Sequence, residues 1–242
     1  RDGAVSPAAE NATSGKAGPS PSVIFAFPGQ GSQYLNMGRG LYEAEPAYRR
    51  HFDRCCDAAQ AVIGSDLRQV LFVSGDDLAA KEAAFMARPE AVQTGIFSTS
   101  YALAMALIDL GIKPAALLGH SIGEFAAATV AGVLSLDDVL SIIAIRARAM
   151  HERCEGGKML SVRMTIPDAR AFAESQEEVW LSCENSPGNC VFSVAESAVA
   201  GAIAELRARG IESSQLKVTH GFHSPLVQKA ADEVASFAKD IS

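Results

Sequence analysis

The amino-acid sequence predicts an α/β fold: an α/β-hydrolase-like core on a parallel sheet, with a smaller ferredoxin-like subdomain inserted into it. Three observations carry this expectation. Short apolar runs, Val23-Ile24-Phe25-Ala26-Phe27 and Ala115-Ala116-Leu117-Leu118, read as buried strands set apart by long helical stretches. The second run leads into Gly119-His120-Ser121-Ile122-Gly123 and then a helix-prone Glu124-Phe125-Ala126-Ala127-Ala128, which is strand, G-x-S-x-G, helix. Beyond Gly156-Gly157 the texture changes to β-α-β-β-α-β over roughly sixty residues.

Residues 1–22 lack apolar periodicity and are rich in Ala, Ser, Gly and Pro. They read as a linker or disordered tail, and without an apolar core they are not a secretory signal. The strand ending at Phe27 is closed by Pro28-Gly29, and the loop Gly29-Gln30-Gly31-Ser32-Gln33 follows. That loop is neither a Walker A loop nor G-x-G-x-x-G. Residues 41–63 are predicted as mostly helix, and residues 90–110 as a helix with a Gly111 stop. Pro114 separates that helix from the strand carrying Ser121. Ser135-Leu136-Asp137-Asp138 resembles a capping box that opens a helix to about Cys154. Strands are then expected at 159–164, 179–183, 190–194 and 211–218, with helices at 168–175 and 196–209. Asn185-Ser186-Pro187-Gly188 reads as a hairpin connection. Ser224-Pro225, a cap and a first-turn proline, opens a closing helix to about Asp240. The core is therefore expected over 23–156 and 219–242, and the subdomain over 157–218.

With 242 residues, 48% hydrophobic and 20% charged, the chain is long enough for one large or two small domains. No uninterrupted apolar run is read as reaching bilayer-spanning length, so no membrane span is expected. A net charge of −7 without a long basic run argues against nucleic acid as a partner. The five cysteines, Cys55, Cys56, Cys154, Cys183 and Cys190, include no C-x-x-C pair. Reduced thiols in a cytoplasmic protein are expected, rather than a disulfide framework or a metal site.

Ser121 is the candidate nucleophile, because a strained elbow lifts its hydroxyl from the sheet and the next helix offers free N–H groups to an oxyanion. A serine needs a base. His51 and His151 lie in polar helical stretches and read as surface residues. His120 adjoins the serine, but neighbouring side chains on a sharp turn diverge, so a local role is expected. His223, in His220-Gly221-Phe222-His223-Ser224-Pro225, precedes a helix cap on a loop that can face a cleft; base and satisfied structural histidine are both compatible with this. On the helix after Ser135, Leu136, Val139, Leu140, Ile143, Ala147 and Met150 form the buried stripe. At about 100° per residue, Arg146 falls roughly 60° from its centre and Arg148 roughly 140° away. Arg148 should face water. Arg146 borders the apolar face, where a guanidinium needs an anion, either a structural carboxylate or a substrate carboxylate. The Gln30 N–H lies on a loop at the rim where Ser121 is expected, and could join that of Ile122 as a second oxyanion donor.

Together these motifs resemble the malonyl-CoA:acyl-carrier-protein acyltransferase family, particularly the acyltransferase domains of polyketide synthases. The resemblance runs from about Val23 to the end. It rests on Phe27-Pro28-Gly29-Gln30-Gly31-Ser32-Gln33, on Gly119-His120-Ser121-Ile122-Gly123-Glu124, on Arg146 with Met150 as R-x-x-x-M, and on Gly221-Phe222-His223-Ser224-Pro225.

The resemblance implies that Ser121 carries the acyl group, that His223 is its base, and that the Gln30 and Ile122 N–H groups form the oxyanion hole. It implies that Arg146 grips the free carboxylate of a malonyl extender unit, with Gln93, His120 and Met150 nearby. Ile122 and Phe222 look like malonyl-selecting residues, the ring occupying space that an α-methyl needs. Gly221 stands where alanine is more usual, a change expected to do little. No bound cofactor or metal is implied. The substrates are a CoA thioester and a carrier-protein phosphopantetheine thiol, with an adjacent ketosynthase domain in a larger synthase and a role in antibiotic biosynthesis. Family members also continue into further core strands, one of which supplies a carbonyl that orients the histidine, so part of the core is expected to be missing from this span. A serine esterase or thioesterase, and an inactive docking segment, are the rival expectations.

Overall fold

The computed structural model describes residues 22–218 and 220–241. Except for Ser22, the tail expected over residues 1–22 lies outside them. The chain opens with β1 (Ile24–Phe27), followed by α1 (Arg39–Ala44) and α2 (Pro46–Ile63). The mostly helical stretch expected over 41–63 is helical as two separate helices. Pro46 has no amide hydrogen to continue a helix, and it holds Glu45 extended at φ −111°, so the chain restarts there. Two short helices that the sequence pattern does not announce follow, α3 (Leu67–Leu71) and α4 (Leu78–Met86). Each begins at an aspartate, Asp66 or Asp77, whose side chain accepts a first-turn N–H.

The central element is α5 (Pro89–Asp109), after which come β2 (Ala116–Gly119), α6 (Gly123–Val130) and α7 (Leu136–Arg153). The longest apolar helix, α5, is interrupted by Gln93, Thr94 and Ser98. Helix α5 has 21 residues and a mean hydropathy of 1.4 over its most apolar window, yet 67% of that window is buried inside the protein. It packs against α2, α6 and α7, and a helix covered on most sides is apolar nearly all round. Its burial corrects His51, expected at the surface. Helix α2 lies along α5, and the buried His51 ring places Nε2 2.7 Å from Asp109 Oδ2, an oxygen that also accepts from Arg50. His151 is exposed, as expected.

Strands β1 and β2 pair in parallel, Ile24 beside Ala116 through Phe27 beside Gly119. One face, with Phe25 and Phe27, joins a core that includes Tyr48, Phe52, Phe97 and Leu140. The other face is bare: Ile24 is 61% and Leu118 64% exposed, with Ala26 and Ala116 between them. Parallel sheets are ordinarily buried on both faces, whereas this face is exposed.

The second half runs β3 (Gly157–Val162), α8 (Ile166–Glu174), β4 (Val179–Ser186), β5 (Asn189–Ala195), α9 (Val199–Ala208) and β6 (Ser213–Gln215). Its four strands are all antiparallel, in spatial order β4-β5-β3-β6. Alternation gives the sheet two apolar faces. Leu160, Val162, Phe192 and Val194 pack under α8 and α9 with Phe172 and Leu206. Met159 and Val191, on the opposite face, pack with Met150 of α7, Phe222 and Val227. That third cluster joins the antiparallel sheet to the segment before α10 (Gln228–Phe237).

Candidate active site

The turn between β2 and α6 is held by short backbone bonds. His120 N donates to Phe27 O at 3.0 Å, Gly123 N to His120 O at 2.9 Å and Glu124 N to Ser121 O at 3.0 Å. Ser121 sits at φ 53°, a left-handed conformation that costs a non-glycine residue energy and fits a functional strain point. The flanking glycines are required by close approach. A Cβ on Gly119 would lie 2.3 Å from Glu124 N, and one on Gly123 would lie 2.3 Å from Phe27 O. Gly123→Ala is therefore expected to lose roughly 3 kcal/mol of stability in chemical denaturation, at the upper end of overpacking costs. An unchanged midpoint would mean that β1 and the turn do not meet in this way.

His223, in the segment between β6 and α10, is also left-handed, at φ 57°. Its Nε2 lies 2.9 Å from Ser121 Oγ, bridging a hundred residues of sequence. One edge of the ring is open to solvent, but the protein around the rest holds its pKa below the ordinary histidine value. Burial is the leading cause, the Arg146 and His120 charges add to it, and Glu124 opposes it. The ring is thus neutral near pH 7, and in the tautomer carrying its hydrogen on Nδ1, Nε2 accepts the serine O–H. His220 is buried close by; burial first and the His151 charge second lower its pKa, and a hydrogen bond to the backbone of Met150 opposes them.

Arg148 reaches the surface as its helical position predicts, and Arg146 turns inward. Arg146 Nη1 donates to Oε1 of Gln93, which is itself only 1% exposed. The guanidinium lies 5.9 Å from the Phe222 ring centroid. Burial lowers its pKa to about 10, so it stays charged at neutral pH. Among the described residues no carboxylate pairs with it; its hydrogen-bond partner is a neutral amide. Arg146, Met150 and His223 line one cavity of about 630 Å³ with Phe125, Val227 and Val234. Met150 thus serves both the predicted buried stripe and this cavity.

The Gln30 loop touches the turn at Ser121: a Cβ on Gly29 would come 2.8 Å from His120 Cδ2 and 3.3 Å from Ser121 Cβ. Gln30 Oε1 is buried and has no hydrogen-bond partner among the described residues. The Ile122 side chain is fully buried, and its N–H stands just ahead of α6, where helix amides lack intrahelical acceptors. His120 is exposed beside the dyad. Gly221 is more constrained than expected. An alanine Cβ there would lie 2.7 Å from Leu226 Cδ1 and 3.2 Å from Ser193 Cβ, so Leu226 would have to move. Sequence reasoning alone missed Phe125 and the apolar face of α10. Phe125 stands one helical turn after Ser121, a spacing that places it beside the site. Among the described residues no three His, Cys, Asp or Glu side chains gather into a metal-binding group.

The sequence profile described as "Acyl transferase domain" matches residues 24–242. Mycoketide-CoA synthase from Mycobacterium tuberculosis is 36% identical over 220 residues, covering 91% of this chain and 5% of that protein. Polyketide synthase GfsA from Streptomyces halstedii is 34% identical over 220 residues, covering 90% of this chain and 3% of that protein. Among solved structures, the acyltransferase domain from the second module of the salinomycin polyketide synthase superposes with a TM-score of 0.81 at 37% identity, covering 93% of this chain and 51% of that one. The malonyl CoA-acyl carrier protein transacylase from Clostridium perfringens superposes at 0.78 with 25% identity, covering 92% and 69%. The chain thus spans a small part of these synthases and about half of the salinomycin domain. An α/β chain with a serine on a strand–helix turn is the class that fold and site define. The chain belongs to the malonyl-CoA:acyl-carrier-protein acyltransferase family and is most like the acyltransferase domain of a polyketide synthase.

Proposed function

We propose that this domain moves a malonyl-type unit from CoA to the phosphopantetheine thiol of an acyl carrier protein through an ester on Ser121. The reading is carried by one juxtaposition: His223, 2.9 Å from the Ser121 hydroxyl, lines the cavity that also holds Arg146, a buried cation with a neutral partner. Neutral His223 takes the serine proton as Oγ attacks the thioester carbonyl, and the oxyanion rests on the Gln30 and Ile122 N–H groups. The tetrahedral intermediate collapses, the C–S bond breaks, and the imidazolium returns its proton to the departing thiolate. The carrier thiol then attacks the ester by the reverse sequence, and Ser121 regains its proton.

Arg146 holds the free carboxylate, and Gln93 keeps the guanidinium aimed into the cavity. The Phe222 ring, packed beside that cation, narrows the room for an α-methyl. Such exclusion is worth about 1–3 kcal/mol, a preference for malonyl over methylmalonyl rather than an absolute bar. Met150 and Phe125 shape the apolar wall, Ile122 packs behind the turn, and His120 flanks the pair. A hydrolase needs no such cation, which disfavours an esterase.

In this reading an α/β-hydrolase-like core, 23–156 and 219–242, carries a ferredoxin-like subdomain over 157–218. The bare face of the β1–β2 sheet supports a core completed by polypeptide outside these residues, within a larger synthase that also holds a ketosynthase.

Acylation should follow the neutral form of His223. The rate is expected to be level at neutral pH and to fall as pH drops through a value below the ordinary ~6.5. Arg146→Met removes a positive neighbour, so this midpoint should move up when acetyl-CoA is the donor; a downward move would contradict the assigned field. The reading as a whole is tested by offering malonyl-, methylmalonyl- and acetyl-CoA together, weighing the intact protein, and adding carrier protein. A dominant malonyl adduct that passes to the carrier thiol is expected. Rapid release as free acid would favour hydrolysis instead.

A further inference from the structure

The segment carrying His223 is fixed from below by the antiparallel sheet. Gly157 on β3 and Gly221 let two backbones meet: a Cβ on Gly157 would lie 3.0 Å from Gly221 N. On β5, Ser193 pairs with Met159 and shares its face with Val191, the face turned toward Met150 and Phe222. Ser193 is fully buried among these apolar side chains, where a hydroxyl needs a partner. Its Oγ–H donates to the Phe222 carbonyl at 2.5 Å, which pins the peptide plane joining Phe222 to His223. That plane sets the direction of a histidine already held at φ 57°. The bonds of Ser224, to Gly221 O at 2.6 Å and from Leu226 N at 3.3 Å, lie within the loop and tie it only to itself. Among the described residues the Ser193 hydroxyl ties it to a strand of the sheet, while the His220 hydrogen bond to the Met150 backbone ties it to α7.

We infer that Ser193 is a positioning residue for the Ser121–His223 pair, transmitting the rigidity of the antiparallel sheet to the base through the Phe222 carbonyl. This rests on the acyl-transfer reading, because the pair must react for its alignment to matter in a rate. Small misplacements of reacting groups cost rate steeply, up to about a hundredfold for 1 Å.

The test compares Ser193→Ala with Cys190→Ala. Cys190 is buried on the same strand and bonds to Met164 O at 3.8 Å, away from the His223 loop, so its loss weakens the sheet alone. Ser193→Ala is expected to slow malonyl-CoA acylation at saturation about ten- to a hundredfold, with KM nearly unchanged. Cys190→Ala should stay within about threefold of wild type at a similar loss of thermal stability. Placed in a His223→Ala background, Ser193→Ala should have no further effect, since it acts through that ring. A wild-type rate in Ser193→Ala, an equal loss in Cys190→Ala, or an undiminished loss without His223 would each overturn the inference. If wild-type protein forms no adduct, the acyl-transfer reading fails, and positioning is judged by imidazole NMR titration of His223. Ser121→Ala should then shift that titration in the wild type but not in Ser193→Ala. Equal shifts in both would overturn it.

Discussion

Arg146→Ala is expected to separate the two acyl donors, cutting malonyl loading about a hundredfold or more while acetyl loading changes by less than about threefold. A carboxylate held by charged hydrogen bonds to a guanidinium loses about 3 kcal/mol when its cation is removed, and each 1.36 kcal/mol is a factor of ten. Acetyl has no carboxylate and loses nothing of this kind. The guanidinium makes its hydrogen bond to a neutral Gln93, so the fold gains little from its charge. Arg146→Met, which fills the same space, should therefore leave the thermal midpoint near that of wild type. Competitive loading followed by intact mass measures the ratio. Equal loss of both donors would show that Arg146 holds the cavity open rather than gripping an anion.

His223→Ala is expected to give the other large effect, a fall of roughly 10²–10⁴ in the rate of Ser121 acylation, the usual range for a general base. The Ser121 hydroxyl would keep its strained perch and its oxyanion donors, so residual reaction above the uncatalysed level should remain. Stability should change little, because the ring is partly open to solvent and its hydrogen-bond partner among the described residues is the Ser121 hydroxyl. Rapid-quench acylation at saturating malonyl-CoA is the measurement. A loss below about threefold would assign the proton to another group.

How much of this was legible beforehand follows from which interactions are local. The Ser121 turn was readable because glycine is demanded two residues either side by backbone contacts that any sequence must satisfy. Arg146 was separable from Arg148 because helical geometry alone divides the inner face from the outer. That its hydrogen-bond partner is a neutral amide was not readable, since Gln93 reaches it from α5, far away in sequence. The break at Pro46 was available in the residue itself and was overridden by the apolar periodicity on either side. His51 was misplaced because its partner Asp109 comes from another helix. The extent to which α5 is buried was not legible, because scattered Ser, Thr and Gln residues interrupt its apolar pattern and only the packed core shows that they are covered too. Ser193 gave no signal, since a single serine in a strand acquires meaning only when the Phe222 carbonyl is laid over it.

Peptide mapping after brief exposure to malonyl-CoA bears most directly on the central claim, that the Ser121 oxygen becomes the acyl carrier because His223 accepts its proton. A malonyl ester on the peptide containing Ser121, present in the wild type and nearly absent in His223→Ala at the same time point, is the predicted result. An ester on a different residue, or equal occupancy of Ser121 in both proteins, would contradict it.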